Sequence, residues 1–360
     1  MKICLIGQNL TNLILAYLFS EKKLNVDIYL NKKIQKVKTN RTIALSSENF
    51  DYLKSLTKSN IEHWKSKEIK IFLEDSQSKE LISFKKKNKE VFNLIAYSKL
   101  NEIFLKKIQK SKFVKFYHLD TSDPIIQKNI KNYDLVINSE NKNFISSKFF
   151  TNKIKKDYRS RAYTFLINHH RKDNNIAIQV FTKFGPLAFL PLSGTKTSIV
   201  FSYKGTKIDD EKIVDIFKKY NSFYSFTKIS KIEKFSLSFE MLRNYTYNNI
   251  LALGDVIHRI HPLAGQGFNM TIRDVKIISE IIDDKISLGL PIDISVANDF
   301  QNSTKHLNYL YGKAIDGIYE FFRLDNNINN SISKPVFNIL NNNSIFKKYS
   351  NILSDKGLNL

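Results

Sequence analysis

The sequence predicts an α/β protein: a parallel sheet flanked by helices, with a mostly antiparallel sheet inserted as a second unit. Three observations carry this reading. The chain opens as strand, helix and strand over residues 3–6, 11–21 and 26–30. Between about 160 and 240 it changes to successive short strand-like runs separated by polar turns. Residues 250–253 then return to a buried apolar strand, followed by helices.

The elements follow in order. Ile3-Cys4-Leu5-Ile6 and Val26-Asp27-Ile28-Tyr29-Leu30 are joined by a helix, and such a crossover makes the two strands parallel. Residues 47–56 carry Phe50, Leu53 and Leu56 at helical spacing, whereas 69–72 and 81–84 read as strands. Leu100, Ile103, Phe104 and Ile108 form one stripe of an amphipathic helix, and Leu135-Val136-Ile137 is a further buried strand. Residues 163–167, 176–181, 188–192 and 197–201 are strands. Turns at Lys172-Asp173-Asn174-Asn175 and Leu192-Ser193-Gly194 separate them into an antiparallel sheet. Helices are expected at 269–282 and 297–322. The Asn-rich tail keeps Val336, Phe337, Ile339, Leu340, Ile345 and Phe346, enough for short amphipathic helices. The expected division is 1–68, 93–155 and 240–323 for the parallel-sheet domain, 69–92 and 156–239 for the antiparallel one, and 324–360 for a helical tail.

Lys and Arg number 57 against 34 Asp and Glu, a formal charge of +23 in a chain of 360 residues. The lysines are scattered rather than gathered into an aromatic-interleaved stripe, so a nucleic-acid partner is not expected. An anionic membrane surface is a better use of such charge. Cys4 is the single cysteine, which excludes an in-chain disulfide and a cysteine metal site and leaves a small buried hydrophobe. No cleavable signal segment is read at the N-terminus. The apolar run from Leu10 to Phe19 is interrupted by Thr11 and Asn12 and falls short of the ~20 residues a bilayer span needs. A cytoplasmic protein is expected, peripheral on the membrane face.

The chemistry concentrates in Leu251-Ala252-Leu253-Gly254-Asp255 and the residues up to Asn269. Asp255 follows a buried strand directly, at the strand edge where open α/β sheets form their ligand crevice. An acid there can hold sugar or polyol hydroxyls; the plainer alternative is a loop cap. Gly265-Gln266-Gly267 lets backbone N–H groups approach a ligand, and the following helix aims its free N–H groups at the same place. Alone, the two glycines would equally suit a tight turn. Pro262 fixes the chain's path into this loop. His258 and His261 are three residues apart, but neither a cysteine nor an acidic cluster completes a metal site. They read as loop-structuring residues, with His261 at the edge of a substrate pocket. No Gly-x-Ser-x-Gly elbow is present, so a Ser-His-Asp hydrolase is not supported.

The segment from Gly254-Asp255 through Asn269-Met270-Thr271-Ile272-Arg273-Asp274-Val275 resembles the third FAD motif of the flavoprotein aromatic hydroxylases. Within that group it is similar to the ubiquinone-biosynthesis hydroxylases, which share the fold of p-hydroxybenzoate hydroxylase. Three further stretches support the narrower resemblance: Arg41-Thr42-Ile43-Ala44-Leu45-Ser46 followed by Trp64, residues 181–192, and the helix ending at 315–322. The resemblance implies a Rossmann-like FAD-binding domain and an inserted substrate domain. It implies that Asp255 binds the ribityl chain, with Gly254 also at the cofactor, and that Gly265, Gln266, Gly267, Phe268 and Asn269 hold the pyrophosphate side and flavin edge. Pro262 would lie near the flavin face and Arg41 near the flavin or its phosphates. It further implies NAD(P)H or another electron donor, O2, a hydrophobic prenylated phenol as substrate, and a quinone-biosynthesis enzyme complex as partner.

The sequence departs from that family at the nucleotide end. The expected Gly-x-Gly-x-x-Gly reads Gly7-Gln8-Asn9-Leu10-Thr11-Asn12, with Asn at the second and third glycine positions. Leu30-Asn31 stands where an acid should hold the adenosine ribose, leaving Asn31 as a weaker partner. The expected Asp-Gly after residues 135–137 is Asn138-Ser139-Glu140-Asn141. Two functional classes therefore follow: an FAD-dependent monooxygenase, or a non-catalytic flavin-fold partner of a quinone-biosynthesis complex. A flavin reductase on the same scaffold is a third.

Overall fold

The computed structural model describes residues 2–31, 39–74, 80–86, 89–205 and 207–327. A six-stranded sheet forms the first layer. Its strand Ile3–Ile6 lies between Val26–Leu30 and Leu135–Asn138, parallel to both. Val114–His118 and Ile250–Ala252 extend the parallel sheet on its two sides, and the two-residue strand Thr246–Tyr247 closes one edge antiparallel. The inner strands Ile3–Ile6, Leu135–Asn138 and Ile250–Ala252 are buried along their whole length because both faces are covered, whereas the edge strand Val114–His118 is largely exposed. The first helix, Leu10–Glu21, is buried on nearly every side. Together with the helices Tyr97–Gln109 and Gln266–Ser287 it encloses the largest core.

A nine-stranded sheet makes the second unit. Its spine is Lys153–His169, seventeen residues long and paired with Lys196–Lys204 on one side and Glu233–Leu242 on the other. Only three of its residues before Tyr163 are apolar, so the alternation that betrays a half-buried strand is absent and only its second half was expected. Ile176–Thr182 pairs antiparallel with Gly185–Ser193 and parallel with Glu68–Leu73, so the sheet is antiparallel but for that one junction. The helix Asp210–Tyr220 covers one face through Ile213, Phe217 and Tyr220.

Several elements lacked a sequence signal. Thr42–Ser46, Phe92–Ala96 and Trp64–Ser66 form a small antiparallel sheet of three strands. Each is short and its pairing partner is distant in the chain, so local periodicity cannot announce it. The last described helix, Ile294–Asn327, runs three residues further back and five further on than expected. Part of the expected tail, residues 328–360, lies outside the described residues.

Candidate functional site

At the C-terminal end of the parallel strands, two helix N-termini come together with the loops that precede them. Gly254 follows the strand Ile250–Ala252 with φ +60, and a Cβ there would stand 3.3 Å from Thr11 Oγ1 of the first helix. The glycine thus lets the late strand's loop lie against the first helix. Its neighbour Asp255 is exposed, and its backbone carbonyl accepts a hydrogen bond from Asn141 Nδ2 at 2.5 Å.

The chain then passes His258, Pro262 and a single 3-10 turn to Gly265. Gly265 adopts φ +66, and a Cβ there would meet the Ala44 Cβ at 3.0 Å. It caps the late helix, Gln266–Ser287, without any side-chain hydrogen bond to the first turn. A helix that starts this way leaves early N–H groups without intrahelical partners and presents the positive end of its dipole. Gly267 has ordinary room for a Cβ, its nearest neighbour being Ile260 at 3.7 Å. No steric demand inside the protein therefore explains that second glycine, and close approach from outside remains its use.

Asn269 is fully buried and acts as a staple. Its Nδ2 donates to the carbonyls of Ala44 (2.8 Å) and Gly265 (3.2 Å), while its Oδ1 accepts from Ser46 N–H and Asn49 Nδ2, both at 2.9 Å. Every polar atom is engaged by protein, so its part is to lock the strand Thr42–Ser46 against the loop. Gln266 is similarly tied, accepting from the hydroxyl of Tyr311 at 2.8 Å, and Phe268 packs against the main core. His258 is bound by Asp274 at 2.7 Å, both groups being buried, and Asn308 donates to the same carboxylate at 3.0 Å. This joins the loop to the last helix and gives His258 the structural part expected of it. Among the described residues no group of three or more His, Cys, Asp or Glu could hold a metal.

Arg41 lies at the mouth, its guanidinium 5.2 Å from the centroid of the Tyr97 ring. The Tyr97 hydroxyl accepts the N–H of Leu10 at 3.3 Å, connecting Arg41 to the start of the first helix. Burial raises the Tyr97 hydroxyl pKa, Arg41 offsets part of the rise, and Asp255 adds to it. Sequence reasoning missed Tyr97, since a tyrosine opening a helix is unremarkable without its distant partners. Asn31, expected near a ribose, has its Oδ1 bound by Thr121 N–H at 2.5 Å.

His261 is the second unusual group. It is 1% exposed, and neither ring nitrogen has a hydrogen-bond partner. Its ring stacks on Tyr319 at 4.0 Å and meets Tyr158 edge-on at 5.3 Å. Burial lowers its pKa to about 3, so the imidazole is neutral at physiological pH. Around it, the Tyr158 hydroxyl donates to Asp316 at 2.9 Å, and Lys156 bridges Asp316 (3.2 Å) and Glu320 (2.8 Å). A shallow cleft lined by Phe181, Pro186, Tyr319 and Phe322 reaches the far partner of this stack. The aromatic frame was not legible in the sequence, because its members come from residues 158, 261 and 319.

The first glycine turn is finished differently from the late one. Gly7 has φ +104, and a Cβ at that position would fall 2.9 Å from both Cβ and Oε2 of Glu140. Burial raises the Glu140 pKa, and among the described residues no cation pairs with it. Asn9 caps the first helix, its Oδ1 accepting from Asn12 N–H at 3.1 Å, while its Nδ2 donates to Ser139 O and Oγ, each at 2.8 Å. Asn12 Nδ2 donates to the carbonyls of Ile6 and Gly7, both at 2.8 Å. The asparagines that replaced glycines have become structural links between the turn and the segment 138–140.

This architecture, a parallel sheet with a glycine-turn crevice and an inserted antiparallel sheet, is that of the FAD-dependent aromatic hydroxylases. The structure matches p-nitrophenol 4-monooxygenase PnpA from Pseudomonas putida with a TM-score of 0.80, over 99% of this chain and 98% of that one, at 9% identity. It matches Klebsiella pneumoniae HpxO complexed with FAD at a TM-score of 0.76, over 99% of this chain and 98% of that one, at 10% identity. In sequence, the FAD binding domain family matches residues 195–283, which include the late glycine loop. Curated relatives are similar to part of the chain. Ubiquinone hydroxylase UbiL of Rhodospirillum rubrum is 23% identical over 141 residues, 37% of this chain and 33% of its own length. The Dictyostelium discoideum ubiquinone biosynthesis monooxygenase COQ6 is 28% identical over 193 residues, 43% of this chain and 38% of its own. The chain thus spans roughly a third of the length of these curated relatives, and its similarity to them is confined to those segments.

Proposed function

We propose that the protein is an FAD-dependent monooxygenase that hydroxylates a polyprenylated phenol in ubiquinone biosynthesis. The observation that carries this reading is the late helix, which starts on Gly265 without a side-chain cap beside the exposed carboxylate of Asp255. Those residues fit the flavin half of the cofactor. Asp255 would accept hydrogen bonds from the ribityl hydroxyls. The N–H groups of residues 267 and 268, which no side chain caps, would stabilise negative charge at the flavin's polar edge. Pro262 would wall the flavin face, and Arg41 would stand at the phosphate end. Bound FAD, reduced by NAD(P)H or another donor, supplies the O2 chemistry that inserts one oxygen into an electron-rich ring.

The chain's own residues would bind and orient the ring. His261 offers a neutral imidazole in a dry aromatic frame, and a phenol hydroxyl would satisfy a nitrogen that now has no partner. No side-chain nucleophile is required. A prenylated substrate resides in the membrane, and the +23 charge together with exposed Ile286, Leu288 and Leu290 at the C-terminal end of the late helix and just after it suits a peripheral contact with an anionic surface. Among the described residues no helix is long and apolar enough to cross a membrane.

A second reading, a non-catalytic flavin-fold partner within a quinone-biosynthesis complex, is favoured by one observation: the Glu140 carboxylate seated on Gly7. Purification under mild conditions, an absorbance spectrum, and reconstitution with FAD separate the two. The enzyme is expected to be yellow or reconstitutable and to consume O2 with NAD(P)H in the presence of a prenylated phenol. Colourless protein that takes up no FAD would leave only the second reading.

A further inference from the structure

We propose that Asn141 is a positioning residue for the flavin's polyol chain: it fixes the backbone of Asp255 and thereby the direction in which that carboxylate is presented. This rests on the flavin reading above and extends it to a side chain that acts through Asp255. Asp255 sits in a single 3-10 turn, Gly254–Val256, a geometry that holds a backbone weakly. The hydrogen bonds around it run from Val256 N–H to Leu253 O at 3.3 Å and from Ile257 N–H to Gly254 O at 3.0 Å. Neither uses the Asp255 carbonyl, which accepts from Asn141 Nδ2 at 2.5 Å. An exposed carboxylate binds hydroxyls well only if its backbone is ordered beforehand.

Asn141 is itself oriented from behind. Its Oδ1 accepts from Lys153 Nζ at 3.0 Å, which leaves the Nδ2 donor to face Asp255. The Lys153 side chain is only 8% exposed and pairs with Glu240 at 3.2 Å. Glu240 in turn accepts from Arg259 Nη1 at 3.0 Å, and Arg259 lies in the same late loop, opposite Glu240 in the antiparallel sheet. One buried ammonium thus ties the loop at 255 and at 259 to the start of the strand Lys153–His169. A charge buried this way is costly to unpair, so the arrangement resists loosening. The acid that follows the parallel sheet is therefore aimed from the antiparallel one.

The test is a double-mutant cycle on the full chain, read by fluorescence titration with riboflavin and with lumiflavin, the same ring system without the polyol. Both probes are uncharged, so a charge introduced at residue 141 has no charge on them to act upon. Asn141→Asp keeps the acceptor for Lys153 and removes the donor to Asp255, whereas Asn141→Ala removes both. Each should weaken riboflavin by about fivefold and leave lumiflavin within about twofold. In an Asp255→Ala background neither should change riboflavin by more than about twofold. Unfolding curves without ligand identify a variant that has lost its fold; should Asn141→Ala do so, Asn141→Asp decides. Wild-type riboflavin affinity in the folded Asn141 variants, a loss that persists undiminished in the Asp255→Ala background, or lumiflavin falling in parallel would each overturn the proposal. The flavin reading would still stand if Asp255→Ala alone weakened riboflavin. Riboflavin binding unchanged by Asp255→Ala, or no binding of either probe to any form, would overturn both.

Discussion

At the first helix the N–H of Asn12 is capped by Asn9, the N–H of Leu10 reaches a tyrosine hydroxyl, and an acid rests on the preceding glycine. At the late helix a left-handed glycine is the cap, no side chain bonds the first turn, and the nearby acid points to solvent. Both helices follow strands of the same parallel sheet, the first as a crossover to the next strand and the late one after the loop 253–265. The difference lies in how the helix-end N–H groups are satisfied. An N-terminus whose donors are engaged by the protein gains stability and loses anion affinity; one left open does the reverse. The molecule has resolved this choice oppositely at two neighbouring places, and the resolution follows from which residues are glycine.

The largest effect that would sharpen this contrast is expected for Asn269→Ala. It strands the Ser46 N–H, the Asn49 amide and the Ala44 carbonyl in a buried site, and should lower stability by about 2–4 kcal/mol in chemical denaturation. Retention of full stability would show that the loop is held by other means. Gly265→Ala should cost about 1–2 kcal/mol from the left-handed backbone and weaken flavin retention with it. An alanine that leaves both unchanged would remove the late loop from the site.

Asp255→Ala should reduce FAD affinity by roughly tenfold through lost hydroxyl hydrogen bonds, with thermal stability nearly unaltered because the side chain is exposed. Unaltered affinity would break the assignment of the polyol end. The smallest change concerns His261→Phe. Removing unpartnered buried nitrogens should leave stability the same or raise it by about 1 kcal/mol, while turnover of a phenolic substrate falls.

The same histidine has a pH signature. Its folded pKa is about 3, below the unfolded value near 6.5, so between these limits the unfolded chain binds more protons. Stability should therefore fall as pH drops from about 6.5 toward 3, by up to ~1.4 kcal/mol per unit from this group. The contribution is fully present above the unfolded pKa. His261→Phe should lose that part of the slope, and an identical pH profile for the two proteins would contradict the burial of a neutral imidazole.

Much of the frame was legible from residue order. The inner parallel strands Ile3–Ile6 and Ile250–Ala252 are apolar runs, and the Gly254-Asp255 and Gly265-Gln266-Gly267 segments sit where a strand must give way to a helix. Glu140 and the two asparagines were visible as departures, yet their consequence was not. An asparagine in a glycine position reads as tolerated backbone. Only its distant partners, Ser139 for Asn9 and the carbonyls of Ile6 and Gly7 for Asn12, show that it fills the turn. Asn269 carried the opposite error of emphasis: its place in the motif suggested a ligand contact, and its neighbours make it a staple.

The sequence by itself determined the layer architecture, the late glycine loop and the absence of a thiol-based site, because apolar periodicity, glycine and residue type are local properties. Tertiary structure alone decided which helix end remains open, which acid faces solvent, and that His261 is left between two tyrosines without a hydrogen bond. Those outcomes depend on burial and on partners far apart in the chain, and burial sets the cost of every unpaired charge and donor.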